Sequence, residues 1–184
     1  MTHDADTPCA AFDGGRKIAA GPLREVLAAV MAAPDPDRVL VFADDRSWPL
    51  ELDLRGSLAE ALDRLPRPAA APKGPGRPKL GVVAREVTLL PRHWDWLAAQ
   101  PGGASTTLRR LVEAARRDPV HQAAEAMQSA YRFMTIVGGD RPGYEDAVRA
   151  LTVGDAAAFA AALADWPADL RDHAETLAGR AFRS

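Results

Sequence analysis

Cysteine is nearly missing from this chain: Cys9 is the only one in 184 residues. An intramolecular disulfide and a cysteine-ligated zinc finger are therefore excluded. Long apolar runs are missing too, which argues against a membrane-spanning helix. The opening Met1-Thr2-His3-Asp4-Ala5-Asp6 has neither a positive start nor an apolar core, so it does not read as a signal peptide. A cytoplasmic location is the expectation. The four histidines, His3, His93, His121 and His173, are scattered, and none has the spacing of a His-Glu-x-x-His metal motif. A phosphate loop and a Gly-x-Ser-x-Gly elbow are also absent. Cys9 is expected near a loose, disordered start, with no evident base or cation to activate it. Asp44-Asp45 reads as a solvated turn, with cation binding as the alternative. The chain is not expected to be an enzyme or to carry a metal or cofactor.

Lysine is scarce. Only Lys17, Lys73 and Lys79 occur among 23 basic residues, and asparagine is absent altogether. That bias resembles the codon usage of a GC-rich genome. Arginine abundance alone therefore says little, and arginine clustering says more. The net charge of −2 hides such a cluster. Residues 1–65 carry a net −5, residues 66–117 a net +7 and residues 118–184 a net −4. A basic middle lies between two acidic ends.

Local patterns predict an α+β chain. Asp13-Gly14-Gly15 between short apolar runs signals a hairpin. Gly21-Pro22 opens a helix whose Leu23, Val26, Leu27 and Val30 have helical spacing. Val39–Ala43 reads as a buried strand. Trp48, Leu50, Leu52 and Leu54 alternate with polar residues and proline, as in a half-buried strand. Ser57 caps a short helix. Residues 1–65 thus form a small ββαββα domain. Residues 66–83 are a basic linker, with five prolines and two glycines between Pro66 and Lys79. Residues 84–117 predict a β-biased Arg85–Leu90, a helix over Pro91–Gln100, and a helix over Thr106–Arg117 capped by Ser105. Trp94 and Leu97 share a face and are expected in the core, whereas Trp96 falls off it. Residues 118–184 are expected to form a helical bundle in which Gly138-Gly139 stops a long first helix and Tyr144–Val153 is the next, with Tyr131, Phe133 and Met134 in its core and an Asp140–Arg141 ion pair in a glycine-rich turn.

Two motifs lie in the basic middle. Gly76-Arg77-Pro78, flanked by Lys73 and Lys79, resembles an AT-hook. Its extended backbone would follow a narrow minor groove, where a guanidinium meets enhanced negative potential. A plain basic linker is the alternative. The next segment runs from Arg85-Glu86-Val87-Thr88-Leu89-Leu90-Pro91 through Trp94, Leu97 and Gly103-Ala104-Ser105 to Leu108-Arg109-Arg110-Leu111-Val112. It is similar to the ribbon-helix-helix family, whose paired strands from two chains enter the major groove. The resemblance implies a homodimer through residues 85–117. It places Ser105 and Thr106 at a phosphate, and Arg85, Val87 and Leu89 towards the groove. There the pattern departs from the family, because apolar Val87 and Leu89 take groove positions and Glu86 and Thr88 point inward. A one-residue shift of register reverses every side chain. A strand and two amphipathic helices packed into a larger core is one alternative. A helix-turn-helix over 99–111 is another, with Arg109 misplaced at a core position.

Over nearly its full length the chain resembles domain-of-unknown-function family 2239, a bacterial family. The likeness rests on Gly76–Val83, on Arg85–Leu97, and on Tyr131-Arg132-Phe133-Met134 with Gly139-Asp140-Arg141-Pro142-Gly143. It implies a bacterial origin and no particular activity. The favoured expectation is a DNA-binding protein, regulatory or nucleoid-associated. Lys73, Arg77 and Lys79 would meet a minor groove, and Arg85, Arg92, Arg109, Arg110, Arg116 and Arg117 would meet phosphates. The alternative is a non-enzymatic protein-interaction or adaptor module.

Overall fold

The computed structural model describes residues 3–66 and 86–183. It divides into two compact units. One comprises residues 1–67 with 119–184, and the other residues 68–118. The fold is α+β.

The larger unit begins with the expected hairpin, β1 (Pro8–Asp13) and β2 (Arg16–Pro22). Gly14 takes the positive φ that the tight turn requires. Helix α1 (Leu23–Met31) follows, and then a 3₁₀ turn (Pro36–Arg38) and β3 (Val39–Ala43). The sheet is antiparallel with order β2-β1-β3. β1 is central and buried on both faces, which explains its unbroken apolar run Cys9–Phe12. Alternate residues serve different cores. Cys9 and Ala11 pack with Leu23, Val26 and Val30 of α1. Ala10 and Phe12 pack on the other face, with Phe42 and the C-terminal helices.

The fourth strand expected over 48–54 does not form. Only a bridge between Phe42 and Pro49 is present. Two backbone bonds hold the segment, from Ala43 N to Trp48 O and from Leu50 N to Val41 O. Pro49 has no N–H to extend the ladder. Leu50, Leu52 and Leu54 still pack on the α1 side of the sheet, so the alternation reports burial without a strand. The expected cap is present at α2 (Leu58–Arg64), where Ser57 and Glu60 form a reciprocal capping box.

The C-terminal helices are α5 (Pro119–Gly138), α6 (Tyr144–Val153), α7 (Ala156–Ala162) and α8 (Ala168–Ala178). α5 packs against α6 and α8, and α6 against α7. Sequence boundaries separate residues 1–65 from 118–184, yet the two segments share one core. Phe12, Phe42 and Phe133 meet edge to face or tilted, with centroids 5.1–6.1 Å apart. His173 stands edge-on to Phe12 and Phe133. Trp166 lies over Gly138, leaving no room for a Cβ there, and donates to Pro142 O at 2.9 Å. Phe133 and Met134 are buried as expected, but Tyr131 is 47% exposed. The buried face of α5 runs along Ala126, Ala130, Phe133 and Met134, and Tyr131 falls beside it. Arg141 donates to Val137 O, and the expected Asp140–Arg141 ion pair does not occur among the described residues.

The smaller unit, over its described residues 86–118, holds α3 (Pro91–Ala98) and α4 (Gly103–Arg117) packed together. α4 starts two residues before Ser105, at Gly103, with Gly102 as N-cap. Gly102 and Gly103 both have positive φ, and Gly103 N bonds Gln100 O, so the glycines end the turn and Ser105 is not needed as a cap. Residues 86–90 form no strand among the described residues, so the β bias of that segment is not realised within the chain.

Candidate nucleic-acid interface

α4 carries the most organised set of the expected site residues. At about 100° per residue, Ser105, Thr106, Arg109, Arg110, Arg116 and Arg117 fall on one side of the helix. All six are exposed. Ala104, Leu108, Leu111, Val112 and Ala115 take the other side. Arg109 and Arg116 form one row and Arg110 and Arg117 a second, each pair seven residues apart. Between the rows stands Glu113, a residue the sequence reading passed over. Its carboxylate is 3.0 Å from Arg116 and 4.0 Å from Arg117. Arg109 donates to Thr106 Oγ1 at 3.4 Å. Arg110 has no such partner among the described residues. The signal for Glu113 was available in the helical period, which sets it in the middle of the arginine face.

Arg92 is exposed in the first turn of α3. Lys73, Arg77, Lys79 and Arg85 lie outside the described residues, and so does the Gly76-Arg77-Pro78 tripeptide. The structure therefore gathers six of the candidate residues on α4 and places a seventh on α3.

The apolar side of this unit is largely uncovered. Leu97 and Thr107 are buried, but Val87, Leu90, Trp94, Trp96, Leu111 and Val112 are exposed. Trp94, expected in the core beside Leu97, is 40% exposed. Two short helices are too narrow to cover every apolar side chain on their facing sides. Thr107 Oγ1 is buried without a hydrogen-bond partner among the described residues. Such an orphan typically costs about 1–3 kcal/mol.

The larger unit offers different chemistry. Cys9 is fully buried in β1 rather than lying at a loose terminus. Burial, with the carboxylate of Asp44 nearby, pushes its thiol up to about 11, which makes it a poor nucleophile at neutral pH. Burial likewise raises Asp44, against a lowering by Lys17. The 44–47 turn is pinned to α5 by a buried Ser47–Ser129 hydroxyl pair at 2.8 Å, and Ser47 has φ 51°. Arg46 pairs with Glu125 at 2.6 Å, and Arg132 donates to Arg46 O and stacks 3.8 Å over Trp48. A cavity of about 750 Å³ opens beside Trp48, between Leu23 and Leu27 of α1 and Ala61 and Arg64 of α2. Asp53 on its wall is held well below the usual carboxylate range by hydrogen bonds from Arg55. No cluster of three or more metal-ligating side chains occurs among the described residues.

Comparison with known families decides the lineage. A family described as an uncharacterised protein conserved in bacteria (DUF2239) matches residues 8–178. The chain belongs to this DUF2239 family. The match spans β1 to the end of α8 and includes both units. No curated protein and no solved structure matches the chain. No helix of this DUF2239 member is long and apolar enough to cross a membrane among the described residues.

Proposed function

We propose that the protein binds DNA through its basic middle segment, as a regulatory or nucleoid-associated protein of the bacterial cytoplasm. One observation carries the reading. A single face of α4 collects four arginines and two hydroxyls, while its opposite face is apolar. Phosphates are met by guanidinium and hydroxyl groups of this kind, and such contacts supply most of the affinity for duplex DNA. The AT-hook-like tripeptide with Lys73, Arg77 and Lys79, and Arg85, would add contacts on the N-terminal side of the helices. The acidic charge of residues 1–65 and 118–184 disfavours DNA there.

The reading includes a homodimer. Leu90, Trp94, Leu111 and Val112 are exposed, and a second copy would remove them from water. Their exposure equally favours the second reading, a non-enzymatic adaptor whose apolar face meets another protein.

Fluorescence anisotropy of the full chain with a labelled duplex at low salt tests the reading. Binding is expected, and the double substitution Arg109→Ala with Arg110→Ala is expected to weaken it by ten-fold or more. Absence of binding at low salt ends the DNA reading. A nuclease-resistant protein complex in its place establishes the adaptor. Arg77→Ala separates the two basic elements: it weakens binding to AT-rich duplex selectively if the tripeptide enters the minor groove, and leaves it unchanged if the segment only links.

A further inference from the structure

The arrangement of α4 says more than that it is basic, and what it adds rests on the DNA reading above. On the free helix a carboxylate at the centre of the cationic face forms stabilising i,i+3 and i,i+4 pairs, and on DNA it would need another partner. Glu113 is placed there, between the Arg109–Arg116 row and the Arg110–Arg117 row. It is half exposed and already neutralises Arg116 and Arg117 in the free protein. Near phosphates an unpartnered carboxylate is repelled. Its presence makes sense if it meets a donor when the arginines turn outward.

The dimensions identify the donor. Arg109 and Arg116 are seven residues apart, about 10.5 Å along the axis, as are Arg110 and Arg117. The two rows lie about 100° apart around the helix, separated by something on the order of 10 Å once the long side chains extend. The major groove of B-form DNA is about 12 Å wide, admits one α-helix, and is walled by the phosphates of the two strands. Each arginine row therefore matches one wall. Thr106 and Glu113 fall on the line midway between the rows, where they would face the groove floor. A glutamate there accepts from the N4 amino group of cytosine, and a threonine hydroxyl bonds any base edge. The far side of α4, with Leu111 and Val112, faces away from such a groove and stays free for protein contacts.

We infer that α4 is a recognition helix that lies in the major groove, its two arginine rows on the phosphates of opposite strands and Glu113 and Thr106 reading bases between them. Glu113 selects cytosine. Thr106 contacts a base about three pairs away, since seven residues of helix span about three 3.4 Å steps. In the free protein Glu113 occupies Arg116 and Arg117, and DNA releases it. This differs from the ribbon-helix-helix resemblance, in which a strand over 85–90 would read the bases.

Selection from a randomised duplex library, with the full chain, tests the inference. The wild type is expected to enrich a site with a fixed C·G pair. Glu113→Gln is expected to lose that preference, on the order of ten-fold over the other pairs, while its affinity for a scrambled duplex holds or rises because a negative charge has gone. Thr106→Val is expected to relax a position about three pairs from the first and leave the cytosine position intact. Circular dichroism checks that both variants keep their helix content. Binding with a base preference that Glu113→Gln leaves unchanged overturns the recognition helix and spares the DNA reading. Binding with no base preference in the wild type does the same. Failure of every variant and of the wild type to bind any duplex overturns both.

Discussion

The two units solve the problem of apolar surface in opposite ways. In the larger one a three-stranded sheet is covered on one face by α1 and on the other by the C-terminal helices, so that Phe12, Phe42, Phe133, Phe159 and Leu170 are shut from water. In the smaller one Leu97 and Thr107 are buried while two tryptophans, two leucines and two valines are exposed. The larger unit encloses a core with its own chain, and its exposed apolar residues, Leu40, Trp48, Val120, Tyr131, Ile136 and Val153, are few for its size. Among its described residues the second is a pair of helices with one charged face and one exposed apolar face. The difference is the ground on which the proposed DNA contact is placed in the smaller unit.

Substitutions that break this contrast are ordered by size. Phe133→Ala removes a ring shared by Phe12, Phe42 and His173, and is expected to cost about 3–5 kcal/mol in urea unfolding. Leu111→Ala, at a site 45% exposed, is expected to leave that transition within about 1 kcal/mol, and to shift sedimentation towards monomer. Equal costs for the two would erase the contrast.

Acid should act on the larger unit next. Burial lowers His173 from 6.5 to about 4, with a smaller contribution from the charge of Lys17. Its imidazole stays neutral in the fold while the unfolded chain takes up a proton at about 6.5. Between those values the unfolded chain binds more protons, so stability is full above 6.5 and falls as pH drops towards 4. A melting temperature lower by several degrees at the acid end of that window is expected. His173→Leu should flatten that slope, and an unchanged slope would assign it to other groups. The smallest effect belongs to the surface: Ser57→Ala, which removes half of the capping box of α2, is expected to cost about 1 kcal/mol by thermal denaturation.

How much of this was legible in the residues differs between the same two regions. The hairpin at Asp13-Gly14-Gly15, the cap at Ser57, the span Tyr144–Val153 of α6 and the stop at Gly138-Gly139 were all readable, because each is fixed by local chemistry. The alternation over 48–54 predicts a strand that does not form. Alternation reports which side chains are buried, and here burial is achieved by packing with two backbone bonds instead of a ladder. The union of residues 1–65 with 118–184 was invisible, since no local pattern says that Ala10 and Phe12 need a partner such as Phe133 from a distant helix. Cys9 was taken for part of a loose terminus, although the apolar run that it opens is that of a central strand. On α4 the arginines are legible as a cluster, and the helical period alone divides them into two rows about Glu113. Trp94 shares a helix face with Leu97, yet the described residues of the smaller unit do not cover it.

The proposed function depends above all on whether the charged face of α4 meets phosphate. The salt dependence of duplex binding by the full chain measures that directly. Neutralisation of about six phosphates predicts a log–log slope of roughly −5 between affinity and salt concentration. The double substitution of Arg109 and Arg110 by alanine should flatten that slope by about 2. A flat response in the intact chain, or no binding even at low salt, would contradict the account.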